Sequence, residues 1–161
     1  MSRLVRAGVL TGVTDGLFAS ASALFFGSTL MRLWQGVAST VSGKSAFDGG
    51  IPTALLGVLM HFGVAFGWSG VFLFVGMRSS RIRRAVSSPS GVIGIAALYG
   101  PFIWLVMSLI VIPVLLHRPA AITNRWWVQL VGHFPFVGLP IVASIANAER
   151  GPSSPDIAEK V

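Results

Sequence analysis

Cysteine is absent from the 161 residues, which excludes disulfides, thiolate metal sites and cysteine nucleophiles. Charge is scarce as well. Only 11% of the residues are charged, where a soluble domain carries about 25%, so most of the surface is not built for water. Acidic groups are rarest: five Asp and Glu stand against twelve Lys and Arg, for a formal net charge of +7. A surplus of that sign raises nucleic acid as a partner. Here, however, the charges fall between apolar runs, which fits membrane orientation and argues against nucleic acid. With so few carboxylates a zinc or di-iron centre lacks ligands, and no metal site or cofactor is expected. Neither a GxSxG elbow nor a phosphate-cradling glycine loop is present, and Gly91, Gly94 and Gly100 fall in a helical stretch. The chain is therefore not expected to be an enzyme.

What the sequence has in abundance is apolar length: 53% of residues are hydrophobic and the mean hydropathy is +0.78. A bilayer core of about 30 Å takes about 20 helical residues. Four segments are that long, roughly 7–31, 51–77, 91–116 and 126–148. They predict an all-α membrane domain over 1–148 with four transmembrane helices. Residues 149–161, polar and opened by Pro152, Ser153, Ser154 and Pro155, are expected to form a disordered cytoplasmic tail. Arg3 and Arg6 followed by apolar sequence and the run Ala19–Ala23 suggest a signal peptide, but Asp15 interrupts its apolar core and no polar mature start follows, so an uncleaved first span is expected.

The positive-inside rule orients the spans. With the N-terminus inside, the inner segments hold Arg3, Arg6, Arg78, Arg81, Arg83, Arg84, Arg150 and Lys160, and the outer loops hold Arg32, Lys44, Arg118 and Arg125. That count favours both ends in the cytoplasm. The cluster Arg78, Arg81, Arg83 and Arg84 dominates it and suits anionic lipid headgroups. Trp34, Trp126 and Trp127 fit an outer aromatic belt. Residues 33–41 read equally as an interfacial or re-entrant helix and as a plain loop.

Packing signals are stripes of small residues: Gly8, Gly12, Gly16 and Ser20 in the first span, Gly63 and Gly67 in the second. Pro101, Pro113, Pro135 and Pro140 should kink the last two spans and free carbonyls that neighbours or water must satisfy, so a small polar cavity is expected in the second half.

An ionisable group within a span costs about 2.5–3.5 kcal/mol on insertion scales and asks for a partner. Asp15, His61, Tyr99 and His133 are the candidates. At about 1.5 Å per residue, Asp15 and Tyr99 lie about 12 Å from the inner edge, His61 lies about 15 Å from the outer edge, and His133 is shallower. Asp15, His61 and Tyr99 are thus expected to meet as a buried polar cluster. The plainest role is a clasp that fixes helix register in a structural or accessory membrane component. A proton, ion or solute path is the second reading. A haem held between His61 and His133 in an electron carrier is the third. His117, beside Arg118 at a helix end, reads as an interface residue.

LLGVLMHFGVAFG around His61 can be set beside VQLVGHFPFVG around His133, which admits a duplicated two-helix hairpin. The same residues carry a family likeness. LGVLMHF at 56–62 (with Leu56 first), IPVLL at 112–116 and GHF at 132–134 resemble YagU-like bacterial inner-membrane proteins over residues 51–146. The resemblance implies a multi-pass protein of a bacterial cytoplasmic membrane, of undefined activity, and supplies no catalytic residues. Its partners would be the lipid bilayer and either a second copy of the chain or a membrane-complex subunit.

Overall fold

A computed structural model describes residues 1–147, so the tail at 149–161, with Arg150 and Lys160, lies outside the described residues. Four helical stretches are long and apolar enough to cross a bilayer: Arg3–Phe25, Gly50–Arg78, Pro89–Leu116 and Asn124–Ala146. The protein is an all-α membrane protein with four spans, and no strand occurs among the described residues. Its α-helices are α1 (Arg3–Phe25), α2 (Leu30–Ser42), α3 (Gly50–Phe74), α4 (Ser80–Ala85), α5 (Pro89–Val106), α6 (Ile112–Leu116), α7 (Asn124–His133) and α8 (Leu139–Asn147). Ser2, Thr29, Ser79, Ser88 and Thr123 start α1, α2, α4, α5 and α7, each accepting from the backbone N–H three residues on.

The first span stops short of residue 31. Gly27 takes φ 75°, and the N–H of Ser28 reaches the Ala23 carbonyl at 2.8 Å while that of Gly27 reaches Leu24 at 3.0 Å. This closure satisfies the last carbonyls of α1 and needs a left-handed residue, which glycine supplies without strain. Thr29 then caps α2, so residues 33–41 are a helix and not a plain loop. It lies against α3, where the Trp34 carbonyl and the Ala38 backbone come so close to Gly57 that no Cβ fits. The Gln35 amide donates to the Gly50 carbonyl at 3.2 Å. Trp34 does not sit in an interfacial belt: its ring packs edge-on to His61 at 5.3 Å, about 16 Å along α3 from its start.

Proline shapes the other two spans without breaking them. The helix passes through Pro101. Wider π-turns at Met107–Val111 and Phe134–Gly138 precede Pro113 and Pro140, with Ile112 N–H bonded to Met107 and Leu139 N–H to Phe134. Pro140 has no N–H for the Phe136 carbonyl, and the Thr14 hydroxyl of α1 donates to it at 2.7 Å. At the end of the third span His117 takes a left-handed φ of 51°, and Arg118 N–H closes the turn on Pro113 at 3.2 Å.

α1 is the centre of the bundle, packed on α3 along one side and on α8 along another. The stripe in α1 meets aromatic side chains of α3: Gly8 faces Phe66, Gly12 faces Phe62 and Gly16 faces His61. Gly63 and Gly67 differ from expectation, because a Cβ at either would meet nothing within 4 Å. They point away from the partners that α3 has in this chain. A glycine contact of another kind joins α5 to the fourth span, where Gly100 lies on the His133 carbonyl and Gly138 on the Ala96 carbonyl.

The spans' basic ends, with Arg3, Arg6 and the turn 78–84, enclose the apolar core. Ala7, Phe72, Val92, Ala96, Ile141, Val142 and Ile145 are buried there. Arg83 closes the turn by donating to the Met77 and Arg78 carbonyls at 2.7 and 2.9 Å, and it is exposed like Arg78, Arg81 and Arg84.

Candidate functional site: a cavity at membrane depth

Beyond that core, toward the opposite ends of the spans, the bundle is hollow. A cavity of about 370 Å³ runs from Ala121 and Thr123 in the segment before α7, and Arg125 in its first turn, down to Thr11, Ala65, Ile103 and Val137. All four spans and α2 line it, so it lies between the two halves of the chain and not within the second half alone. Ala121 and Thr123 at its mouth are exposed. Its side is also loosely closed. α3 and α5 are joined chiefly by aromatic side chains, with Trp68 at 6.3 Å from Tyr99 and 6.1 Å from Phe102.

Three of the four predicted polar residues line this space: Asp15, His61 and His133. Tyr99 does not. It faces the α3–α5 seam, where its hydroxyl donates to the Trp68 carbonyl at 2.7 Å and its ring lies 5.0 Å from Phe72. Its partners Trp68 and Phe72 lie about two to three turns along α3 from His61 toward the basic turn, so Tyr99 does not join Asp15 and His61. Trp126 departs from the belt in the same way, because it is buried and its indole N–H donates to Ser108 at 3.0 Å, while Trp127 is exposed as expected.

The bonds of the two histidines fix their tautomers. His61 Nε2 lies 3.0 Å from the Gly12 carbonyl. A carbonyl only accepts, so Nε2 carries the hydrogen, and Nδ1 of the neutral ring turns a lone pair toward Asp15. Nδ1 and Asp15 Oδ2 are 3.9 Å apart, within ion-pair range and too far for a direct hydrogen bond. Two lone pairs facing one another repel. The pair is attractive when it holds one proton, on Nδ1 or on the carboxyl. His133 Nδ1 lies 2.7 Å from the Gln129 carbonyl, so the same reasoning puts its hydrogen on Nδ1 and leaves Nε2 an acceptor. Its ring lies against Trp104 at 4.8 Å. With one ring nitrogen of His61 on Gly12 and the other on Asp15, a haem between the histidines would require that ring to turn.

The residues not anticipated as part of the site are Thr11, Trp104 and Gln129. Gln129 ties α7 to α1 by donating to Ser22 at 3.3 Å. Thr11 and Trp104 matter more. Among the described residues, three buried side-chain atoms have no hydrogen-bond partner, namely Thr11 Oγ1, Asp15 Oδ1 and Trp104 Nε1. All three residues line the cavity. Each unmade bond on a buried group costs about 1–3 kcal/mol. Three in one place point to something other than the fold as their partner.

No group of three or more metal-ligating side chains occurs among the described residues. Comparison of the chain with protein families, with characterised proteins and with solved structures finds no match.

Proposed function

We propose that this is a small solute-binding membrane protein of the transporter class, which receives a small molecule into its cavity from the end opposite the basic turn. The observation that carries this reading is the convergence of Thr11 Oγ1, Asp15 Oδ1 and Trp104 Nε1, all buried and unpartnered, on one cavity of about 370 Å³. Ligand sites are concave and mostly apolar, with a few convergent polar groups, and an ionisable residue facing a cavity at membrane depth is a functional group by default. A structural or accessory role accounts well for Thr14, Tyr99 and Gln129, whose bonds join spans, but leaves these three atoms without a purpose. The charge count supports a cytoplasmic location for the basic turn. The YagU-like resemblance over residues 51–146 supports a bacterial cytoplasmic membrane.

The absence of native cysteine makes the test direct. In Ala19→Cys, a thiol in the cavity lining, a membrane-impermeant thiol reagent should label the protein from the far side of the membrane and not from the basic side. Ala96→Cys, whose position is wholly buried, should stay unlabelled from both. Failure to label Ala19→Cys from the far side would overturn this reading.

A further inference from the structure

The three unpartnered groups of the cavity are a hydroxyl, an indole N–H and a carboxylate oxygen, and the carboxylate is the one that can carry charge. Asp15 Oδ1 has no partner, and the Gln129 bond turns the lone pair of His133 Nε2 outward from its own helix backbone. The walls are aromatic, with Trp68, Trp104 and Trp126 in the lining. An ammonium or guanidinium is attracted both by a carboxylate and by indole faces. We propose that the cavity's ligand is a monovalent organic cation with N–H donors on an apolar body, and that it enters in exchange for the one proton held between Asp15 and His61. This rests on the solute-binding reading above.

The exchange balances in charge. With one proton the pair is neutral as a unit, whether written as carboxylate and imidazolium or as carboxyl and imidazole. The cation places its N–H on Asp15, the proton leaves to water through the mouth, and the net charge of the site is unchanged. Proton and ligand therefore compete for one carboxylate. The charged and titratable groups around Asp15 are few: His61 from α3, and His133 and Arg125 from α7, with none from α2 or α5 in the lining. Arg125 stands at the mouth, where water screens it, and a guanidinium there disfavours a divalent cation more than a monovalent one.

Benzylguanidinium is a suitable probe because it stays charged and keeps its N–H groups across the working pH range. Benzylurea is its neutral counterpart in shape. Calorimetric titration of the detergent-solubilised protein should show benzylguanidinium binding more tightly than benzylurea. Its affinity should rise about tenfold or more from about pH 5 to about pH 8, with one proton released per ligand, measured in buffers of different ionisation enthalpy. Asp15→Asn should weaken binding about a hundredfold. Should that variant not fold, Ala19→Cys labelled after folding replaces it, since the attached group blocks the cavity and must abolish binding. Equal affinity for benzylurea, affinity flat with pH, or binding untouched by Asp15→Asn or by the blocked cysteine would each overturn the proposal. Absence of binding by either probe would overturn it too, while far-side labelling of Ala19→Cys would show separately that the cavity stands.

Discussion

The two halves of the bundle solve the membrane problem in opposite ways. Toward the basic end, Ile141, Val142, Ile145, Ala96 and Phe72 fill the space between spans. Leftover carbonyls are taken up by neighbours: near the basic end Arg6 donates to Ser144 at 2.8 Å, and at mid-span Thr14 serves the Phe136 carbonyl. Toward the other end the same helices enclose a cavity of about 370 Å³, and three buried polar atoms go unserved. A chain that completes its hydrogen bonds at one end is not short of means to do so at the other. The difference teaches that polar residues in a span do two separate jobs. Those that bond across helices hold the bundle together, Gln129 and His61 among them although both line the cavity, and those left unpartnered in the hollow await a ligand.

Substitutions break or sharpen this contrast. The largest effect is expected from Gly138→Val, because its Cβ would run into the Ala96 carbonyl and backbone cannot give way as a side chain can. The expected outcome is loss of monodisperse protein on size-exclusion chromatography. Ile141→Ala, at a position with no exposure, should cost about 2–5 kcal/mol in reversible unfolding. Thr14→Val removes one interhelical hydroxyl bond and should cost about 0.6–1.7 kcal/mol in the same assay. Thr11→Val should have the smallest effect and the opposite sign. It replaces an unpartnered hydroxyl by a methyl of the same shape, so stability should hold or rise by about 1 kcal/mol. A loss at Thr11→Val as large as that at Thr14→Val would erase the distinction between polar groups that bond across helices and those that face the cavity unpartnered.

Much of this architecture was legible in the sequence, because span length and charge scarcity are averages over many residues. The α1 stripe of Gly8, Gly12 and Gly16 was legible for a local reason, a four-residue repeat on one helix face. Faces between helices were not. Tyr99 turns to Trp68 and not to Asp15, and nothing in the chain order says which neighbour a ring will meet. Trp126 and Trp34 read as belt residues because tryptophan favours interfaces, while hydrogen bonding and ring contact drew them inward. Gly63 and Gly67 repeat the spacing of the α1 stripe without a partner in this chain. The break after Phe25 had a readable signal in Gly27 followed by the cap at Thr29, which the surrounding hydropathy obscured. Thr11 and Trp104 carried none, because an unmade hydrogen bond exists only once the fold is known.

Thermal unfolding of Asp15→Asn beside Ile141→Ala in one detergent tests most directly whether the polar set serves a ligand or the fold. If Asp15 waits for a ligand, the amide removes a poorly solvated charge and the melting temperature should stay level or rise, while that of Ile141→Ala falls by many degrees. A fall for Asp15→Asn as deep as that for Ile141→Ala would contradict it and return Asp15 and His61 to the role of a clasp.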